Sequence, residues 1–348
     1  MKVCAALSGG VDSSVAAARL IEAGHEVVGV TLKLWGGESD SGCCSVSDVD
    51  DARRVAQQLG IAHHVWSFTD DFERRVVGPY VDAHRRGATP NPCIECNRHL
   101  KFDRLLRRAL AVGFDALATG HHARVVTRPD GTRRVARGAD AAKDQSYVLY
   151  VLGQRELARA LLPVGELTKD AVRTEAGRLG LRTADKPESQ DVCFVTSTSG
   201  RGGFLGRRMA LRQGRVVDRS GDEVGTVPAV ELVTIGQRRG LGLAGGGAPR
   251  YVVDVDVPGA TVRVGDRSDL LADEAVLGRV NWAGRPPAAG ATLAAQCAAH
   301  GAPRPATVVP AGDQAIVRFA TPQRRVARGQ SVVLYEGDEV VGGGIVAR

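Results

Sequence analysis

A membrane span is missing from this chain. No apolar run approaches the ~20 residues needed to cross a bilayer. Met1-Lys2-Val3-Cys4 leads directly into a strand pattern, so neither a leader nor an anchor is expected and the protein is read as cytoplasmic. No self-similar period recurs, which excludes solenoids and propellers. Lysine is scarce as well. Of 46 basic residues only Lys2, Lys33, Lys101, Lys143, Lys169 and Lys186 are lysines, and the rest are arginines. Against 39 acidic residues the formal charge is +7, an excess that suits a polyanionic partner. Arginine suits bidentate phosphate contacts, although a base-rich genome gives the same usage. With 43% hydrophobic and 24% charged residues the composition is that of an ordinary globular protein, and 348 residues suit two or three domains.

The first half alternates strand and helix patterns. Strands are expected at Lys2 to Leu7, Val27 to Leu34, Ala62 to Phe68 and Asp115 to Thr119. Helices are expected at Ser13 to Ala23, Asp48 to Leu59, Lys101 to Val112, Gln154 to Leu161 and Lys169 to Leu179. This is the pattern of an α/β doubly wound parallel sheet. Ligands in such sheets lie beyond the carboxyl ends of the strands, so Ser8 to Ser14, Trp35 to Ser47 and Gly120 to Arg124 should face one crevice. After about Val195, glycine and proline become frequent and short Val-rich runs appear: Gly214 to Asp218, Tyr251 to Val257, Val276 to Trp282, Ala291 to Ala298, Ala315 to Phe319 and Ser331 to Tyr335. These predict two small β-rich domains. The expected division is 1–196, 197–267 and 268–348.

The sharpest local signal is Ser8-Gly9-Gly10-Val11-Asp12-Ser13-Ser14 between a strand and a helix. Two glycines let the backbone turn tightly against an anion, the hydroxyls add donors, and the helix turns its positive end to the same place. A capped strand-to-helix turn is the plainer reading of a Gly-Gly pair alone. The whole string favours phosphate, without the lysine of a Walker loop. Asp12 beside phosphate calls for a divalent cation between them.

Seven cysteines in a cytoplasmic chain point to thiol chemistry or metal before structural disulfides. Thr89-Pro90-Asn91-Pro92-Cys93-Ile94-Glu95-Cys96-Asn97 presents two thiols three residues apart, and Cys193 lies far along the chain. The pair reads as half a zinc site, but a second pair at metal-ligand spacing is missing, Cys43-Cys44 being adjacent, which counts against a metal. A thioredoxin-type redox pair opens a helix, whereas this one follows Pro-Asn-Pro and is expected in a loop. A nucleophile with Cys193 as distant partner is the third reading, and spacing alone leaves all three open. Cys4 and Cys297 are expected as small core residues, Cys43-Cys44 and His63-His64 as structural. The basic runs Arg133-Arg134, Arg207-Arg208 and Arg324-Arg325 are individually ordinary surface charge and collectively suited to a nucleic-acid backbone.

Six segments stand in order: the phosphate loop, Pro90-Asn91-Pro92-x-x-x-Cys96-Asn97, Ala118-Thr119-Gly120-His121-His122, Lys143-Asp144-Gln145-Ser146-Tyr147, Gln190-x-x-Cys193-Phe194 and Gly236-Gln237-Arg238-Arg239-Gly240-Leu241-Gly242. The loop resembles that of enzymes cleaving ATP to AMP and pyrophosphate. Together the six resemble the bacterial tRNA-specific 2-thiouridylases, which thiolate the wobble uridine of tRNA, and the match runs from Lys2 to Gly342-Gly343-Gly344-Ile345. The resemblance implies that Cys193 bears a persulfide and that Cys96 closes a disulfide with it. It implies ATP contacts at Ala6, Leu7, Ser8, Gly9, Gly10, Val11, Asp12, Ser13, Leu32 and Gly120. Asn91, Pro92 and Cys93 match the segment touching the target base, and His121, Lys143, Asp144, Gln145 and Gln330 match tRNA contacts.

Implied with them are ATP, Mg²⁺ on the pyrophosphate, tRNA, and a sulfur donor such as a cysteine desulfurase or sulfur-relay protein. In that chemistry ATP adenylates the uracil O2, the persulfide attacks carbon 2, and AMP and pyrophosphate leave. The chain departs from some members in carrying Cys93 where they carry Asp, and in lacking a basic-aromatic run near Ala299-His300-Gly301. A 2-thiocytidine synthetase would carry paired Cys-x-x-Cys motifs, and an amidating ligase needs no thiols. A non-enzymatic RNA-binding protein would not keep the Ser8 to Ser14 string intact.

Overall fold

The computed structural model describes residues 1–34, 46–187, 192–195, 200–243 and 247–347. Most of the Trp35 to Ser47 segment, Cys43, Cys44, Gln190 and part of the Gly-rich run after Leu243 lie outside the described residues.

A five-stranded parallel sheet forms the first layer. Its strands are β1 (Lys2–Ala6), β2 (Glu26–Lys33), β3 (His63–Ser67), β4 (Ala116–Ala118) and, after a hairpin of β5 (Ala123–Thr127) and β6 (Arg133–Arg137), β7 (Ala160–Leu161). They run in the order β3-β2-β1-β4-β7. Successive β1 side chains serve opposite faces, as the strand period requires. Val3 and Ala5 join Ala17, Leu20, Ala52 and Ala56 on one side. Cys4 joins Phe72, Leu100 and Leu105 on the other. Helices α1 (Val11–Glu22) and α2 (Val46–Gln58) cover the first face. The second is covered by a helical stretch α3 (69–85) and by α4 (92–111), whose middle, Asn97–Leu105, is π-helical. Gly24, at φ +78, closes α1 in the left-handed conformation expected of it, with its N–H on Ile21 O.

Two expectations change. The α4 helix begins at Pro92, not near Lys101, because Asn91 caps it: the Asn91 side chain accepts from Cys93 N at 3.0 Å, with Pro92 at the first helical position. The expected helix Gln154 to Leu161 stops as α5 (Gln154–Leu157). Ala160 and Leu161 join the sheet instead, where Arg159 O and Leu161 O accept from Leu117 N and Thr119 N.

After α6 (Lys169–Arg178) and α7 (Gly200–Gly206) the chain turns to β structure. Four strands, β8 (Gly214–Val217), β9 (Glu223–Val227), β10 (Tyr251–Asp256) and β11 (Thr261–Gly265), form a sheet over a valine-rich core. It docks on α3, where His84 Nδ1 meets Glu231 O, and on α7, whose Arg201 donates to Leu232 O. Strands β12 (Leu271–Trp282), β13 (Ala291–Gln296), β14 (Arg304–Ala311), β15 (Gln314–Arg324), β16 (Ser331–Glu336) and β17 (Glu339–Val346) pair in the order β12-β15-β14-β13-β16-β17. The β12–β17 pairing closes them into a barrel. The sequence reading missed β9, β11, β14 and β17: two prolines in β14 and Gly342 to Gly344 in β17 mask the strand pattern.

The barrel is keyed to the parallel-sheet layer by buried hydroxyls. Tyr147 OH donates to Ser331 O at 2.7 Å, Tyr150 OH meets Ser331 Oγ at 3.1 Å, and Ser146 Oγ meets Tyr335 OH at 3.0 Å. Arg137 stacks on Tyr335 at 3.9 Å from the ring centre and donates to Asp144 and Gln296. Buried polar groups that lose a partner pay the full desolvation cost. Tyr147→Phe is therefore expected to lower stability by about 1 to 3 kcal/mol, read as a lower urea midpoint, although the substituted atom lies far from any phosphate.

Candidate active site at the phosphate loop and thiol helix

The loop between β1 and α1 is shaped by close backbone approaches. Gly9, at φ +72, lies against the main chain of Asp48 at the start of α2, where a side chain would collide. Gly120 packs so tightly on the loop that a Cβ there would stand 2.6 Å from Ser13 N. Ser13 Oγ and Ser14 Oγ donate to Gly10 O, and Ser8 N donates to Ser13 Oγ. Gly10 is the N-cap of α1 and no side chain caps the helix, so its amide end is left to an anion. Ala6 ends β1, the Leu7 and Val11 side chains are buried, and Leu32 sits on neighbouring β2, so these residues shape the loop from below.

Asp12 is held by a lysine and a histidine. Lys169 Nζ donates to both carboxylate oxygens at 2.7 Å, and His122 Nε2 donates to Oδ1 at 2.9 Å. Burial pushes the Asp12 pKa up, but these hydrogen bonds and charges outweigh it and the net shift is downward. Lys186 Nζ reaches Gly9 O at 2.9 Å together with Asp48 and Asp51 of α2. Neither Lys169 nor Lys186 was picked out by motif; the available signal was their being lysines in a chain that otherwise uses arginine.

The segments matched to tRNA contacts have internal employment. His121 is buried, and Lys101 Nζ donates to its Nε2 at 3.3 Å. An ammonium only donates, so Nε2 accepts and Nδ1 carries the proton toward Thr119 Oγ1 at 2.7 Å. Burial, then Lys101 and His122, push the His121 pKa well down, consistent with a neutral ring. Gln145 brackets its neighbour: its N–H donates to His122 O and its Oε1 accepts from His122 N, both at 2.9 Å. Asp144 is buried and accepts from Arg137, Gly138 N and Ser146. Lys143 sits half-buried in the turn before it. Gln330 donates to Thr89 O, while Thr89 N donates to Arg328 O at 2.8 Å, so the barrel rim holds the loop that precedes Asn91.

The Cys-x-x-Cys pair does open a helix, contrary to the loop expected. Asn91 and Pro92 form its start, Cys93 is half-buried in the first turn, and Cys96 is buried where the π-helical stretch begins. Cys96 belongs to the large core cluster, and Cys193 packs against the same cluster. Phe194 seats the Cys193 turn, with ring centres 5.6 Å from Phe72, 5.4 Å from Tyr80 and 5.0 Å from Phe204. The π-helical stretch also carries Lys101 to His121, linking the thiol helix to the loop that holds Asp12. Burial pushes the Cys4 thiol up to about 12 and Cys297 to about 11, which keeps both as inert core residues. Among the described residues no group of three metal-ligating side chains occurs, and no helix is long and apolar enough to cross a membrane.

The basic runs also bond within the chain. Arg134 pairs with Glu336 and Glu339, Arg208 with Glu73, and Arg324 and Arg325 donate to Gly236 O and Val253 O. These guanidinium groups fasten one layer to the next.

A family model described as tRNA methyl transferase HUP domain matches residues 1–197. Models for a tRNA methyl transferase PRC-barrel domain and an aminomethyltransferase beta-barrel domain match 202–266 and 272–346. The chain is 48% identical over 361 residues to a tRNA-specific 2-thiouridylase MnmA of Mycobacteroides abscessus, with all of both chains covered. It is 45% identical over 357 residues to one from Streptomyces avermitilis, covering 100% of this chain and 95% of that one. A crystal structure of a 4-thiouridine synthetase–RNA complex with bound ATP matches 56% of this chain and 44% of its own at 19% identity, with a TM-score of 0.37.

Two outcomes follow from the loop geometry. Gly120→Ala pushes a methyl group into Ser13 N and is expected to weaken ATP binding by at least about tenfold, on the order of 1.4 kcal/mol, in titration calorimetry with an unchanged circular dichroism spectrum. Lys169→Met removes the stabilisation that Asp12 gains from a lowered pKa. That contribution is present above the ordinary carboxylate value of 3.8 and is lost as pH falls through the lower folded value. The gap in thermal midpoint between wild type and Lys169→Met is therefore expected to be full above that value and to close in stronger acid.

Proposed function

Because this chain belongs to the tRNA-specific 2-thiouridylase family, we propose that it performs ATP-dependent 2-thiolation of the wobble uridine of tRNA, as a tRNA-uridine 2-sulfurtransferase. The observation that carries this reading is the pairing of an uncapped, serine-rich phosphate loop with two thiols, far apart in sequence, that share one hydrophobic cluster. A phosphate loop alone suits any enzyme that cleaves ATP to AMP; the thiols make the incoming group sulfur.

The loop fits a nucleotide triphosphate on its own terms. The open amide end of α1, the glycine approaches and the serine hydroxyls form a donor set for pyrophosphate. The Asp12 carboxylate supplies an oxygen ligand of the type Mg²⁺ takes, and that ion would neutralise charge on the departing pyrophosphate. Lys169 and His122 orient the carboxylate, and Gln145 fixes His122.

In the proposed course the uracil O2 attacks the α-phosphorus and pyrophosphate leaves, which turns a poor leaving group into AMP. A persulfide on Cys193, charged by a sulfur donor, attacks carbon 2 through its terminal sulfur and AMP departs. The Cys96 thiolate then attacks the Cys193 sulfur, forming a Cys96–Cys193 disulfide and leaving sulfur on the base. An external thiol reductant resets the pair. Asn91, Pro92 and Cys93 stand at the start of the thiol helix, where a flipped-out uridine would have to arrive. His121, Asp144 and Gln145 act in this reading as supports of the loop and the barrel, with Lys143 and Gln330 beside them at the surface where tRNA is held.

Incubation with ATP, Mg²⁺, a sulfur donor and total tRNA is expected to yield 2-thiouridine on nucleoside analysis. Cys193→Ser is expected to abolish it with tRNA affinity retained, and sulfur incorporation at the normal rate by that variant would refute the sulfur-transfer role.

A further inference from the structure

Strand β12 carries an irregularity that faces the thiol helix. Its pairing with β17 slips between Gly278 and Asn281, and inside that slip Arg279 takes φ +50, a left-handed conformation costly for a residue with a Cβ. Bulges re-aim side chains, and a strained non-glycine residue points to a use for the strain. The re-aimed guanidinium leaves the barrel and donates to Glu95 Oε2 at 3.1 Å. Glu95 lies between Cys93 and Cys96 in the first turns of α4, with only 13% of its side chain exposed. The same oxygen accepts from His99 Nε2 at 3.1 Å, and Arg98 stands 3.9 Å from Oε1. Two residues further along β12, Asn281 donates to Tyr150 O at 2.8 Å, so this stretch of strand is tied to the catalytic layer at two points.

We propose that Arg279 is a positioning residue for sulfur transfer: from the C-terminal barrel it holds the thiol helix, through Glu95, in the rotation that presents Cys93 and Cys96. This rests on the reading of Cys96 and Cys193 as the sulfur-transfer pair. A helix pinned at Glu95 cannot turn about its axis without breaking the ion pair, and its side chains at positions 93 and 96 turn with it. Glu95 remains ionised through the physiological range: burial pushes its pKa up, but His99, Arg279 and Arg98 bring it down to about 2. The barrel then contributes to chemistry performed on another domain, and tRNA seated against the barrel and the thiols that act on it share one register.

The test uses the full chain with Arg279→Ala, Arg279→Lys and Glu95→Gln. Arg279→Ala and Glu95→Gln are expected to slow single-turnover 2-thiouridine formation by about tenfold, the scale of a small misplacement of reacting groups, with tRNA-dependent pyrophosphate release unchanged. Arg279→Lys, which keeps the charge, is expected to restore most of the rate. A second readout needs no turnover: iodoacetamide should alkylate Cys96 at least about threefold faster once the helix is released, consistent with reactivity following access. Parallel loss of both catalytic steps, or Cys96 alkylation unchanged in Arg279→Ala, overturns the proposal. Thiolation by Cys193→Ser would instead sink the underlying sulfur-transfer reading and leave the alkylation arm to test the hold on the helix.

Discussion

A carboxylate inside the proposed phosphate loop is the constraint from which much of this structure follows. Asp12 stands where like charge would be expelled, and its net pKa is nevertheless lowered because Lys169 and His122 close on it. A cluster that tight must itself be held. Gln145 clamps the His122 backbone from both sides, and His121, the residue before it, is locked against Thr119 and Lys101. Gln145 belongs to the run whose next two residues carry the barrel on Ser146 and Tyr147. One hydrogen-bonded path thus runs from the phosphate loop to the last domain. It is a route of mechanical support, and energetic coupling along it is a separate matter.

The strength of these fastenings is uneven. Arg128 and Arg134 reach Glu336 and Glu339 across the hairpin, in positions open enough to water that each pair is worth little. The tyrosine and serine hydroxyls at Ser331 and Tyr335 are buried, and there a missing partner is not replaced by solvent. Specific docking therefore depends on a few neutral hydrogen bonds inside the joint, while the many arginines around it steer and screen. Hydrophobic burial supplies the bulk stabilisation: Tyr335 and Val340 of the barrel enter the same cluster as Cys96 and Leu100 of the thiol helix.

What could be read from sequence was what is local. The Ser8 to Ser14 string is contiguous, and its strand, turn and helix follow from neighbours in the chain. The parallel sheet was legible for the same reason. The start of α4 was misread because Pro90 and Pro92 argue for extended chain, while the Asn91 side chain and the fixed φ of Pro92 make the same residues a helix start. The internal partners of Asp144 and Tyr147 were not legible, since Arg137 and Ser331 come from a hairpin and a barrel that pattern alone does not bring to them. Arg279 carried no signal at all: its role depends on a slip in strand register, which sequence does not display.

The lysines were the overlooked clue. Three of the six, Lys101, Lys169 and Lys186, point at the phosphate loop or the histidines beneath it. Arginine is the default cation here, and these three lysines stand where a guanidinium fits poorly. Lys169 shows why. Its ammonium stands between both oxygens of Asp12 with only 10% of the side chain exposed. A planar guanidinium would meet the carboxylate edge to edge and spread its remaining donors into the loop, where the backbone at Gly9 and Gly120 is already closely packed. Lys186 must satisfy a carbonyl and two carboxylates arriving from different directions, which suits three rotatable donors on a compact charge better than a rigid fork. In a chain with so strong a bias, half of the lysines gather at the proposed phosphate loop, where Gly9 and Gly120 make close backbone approaches.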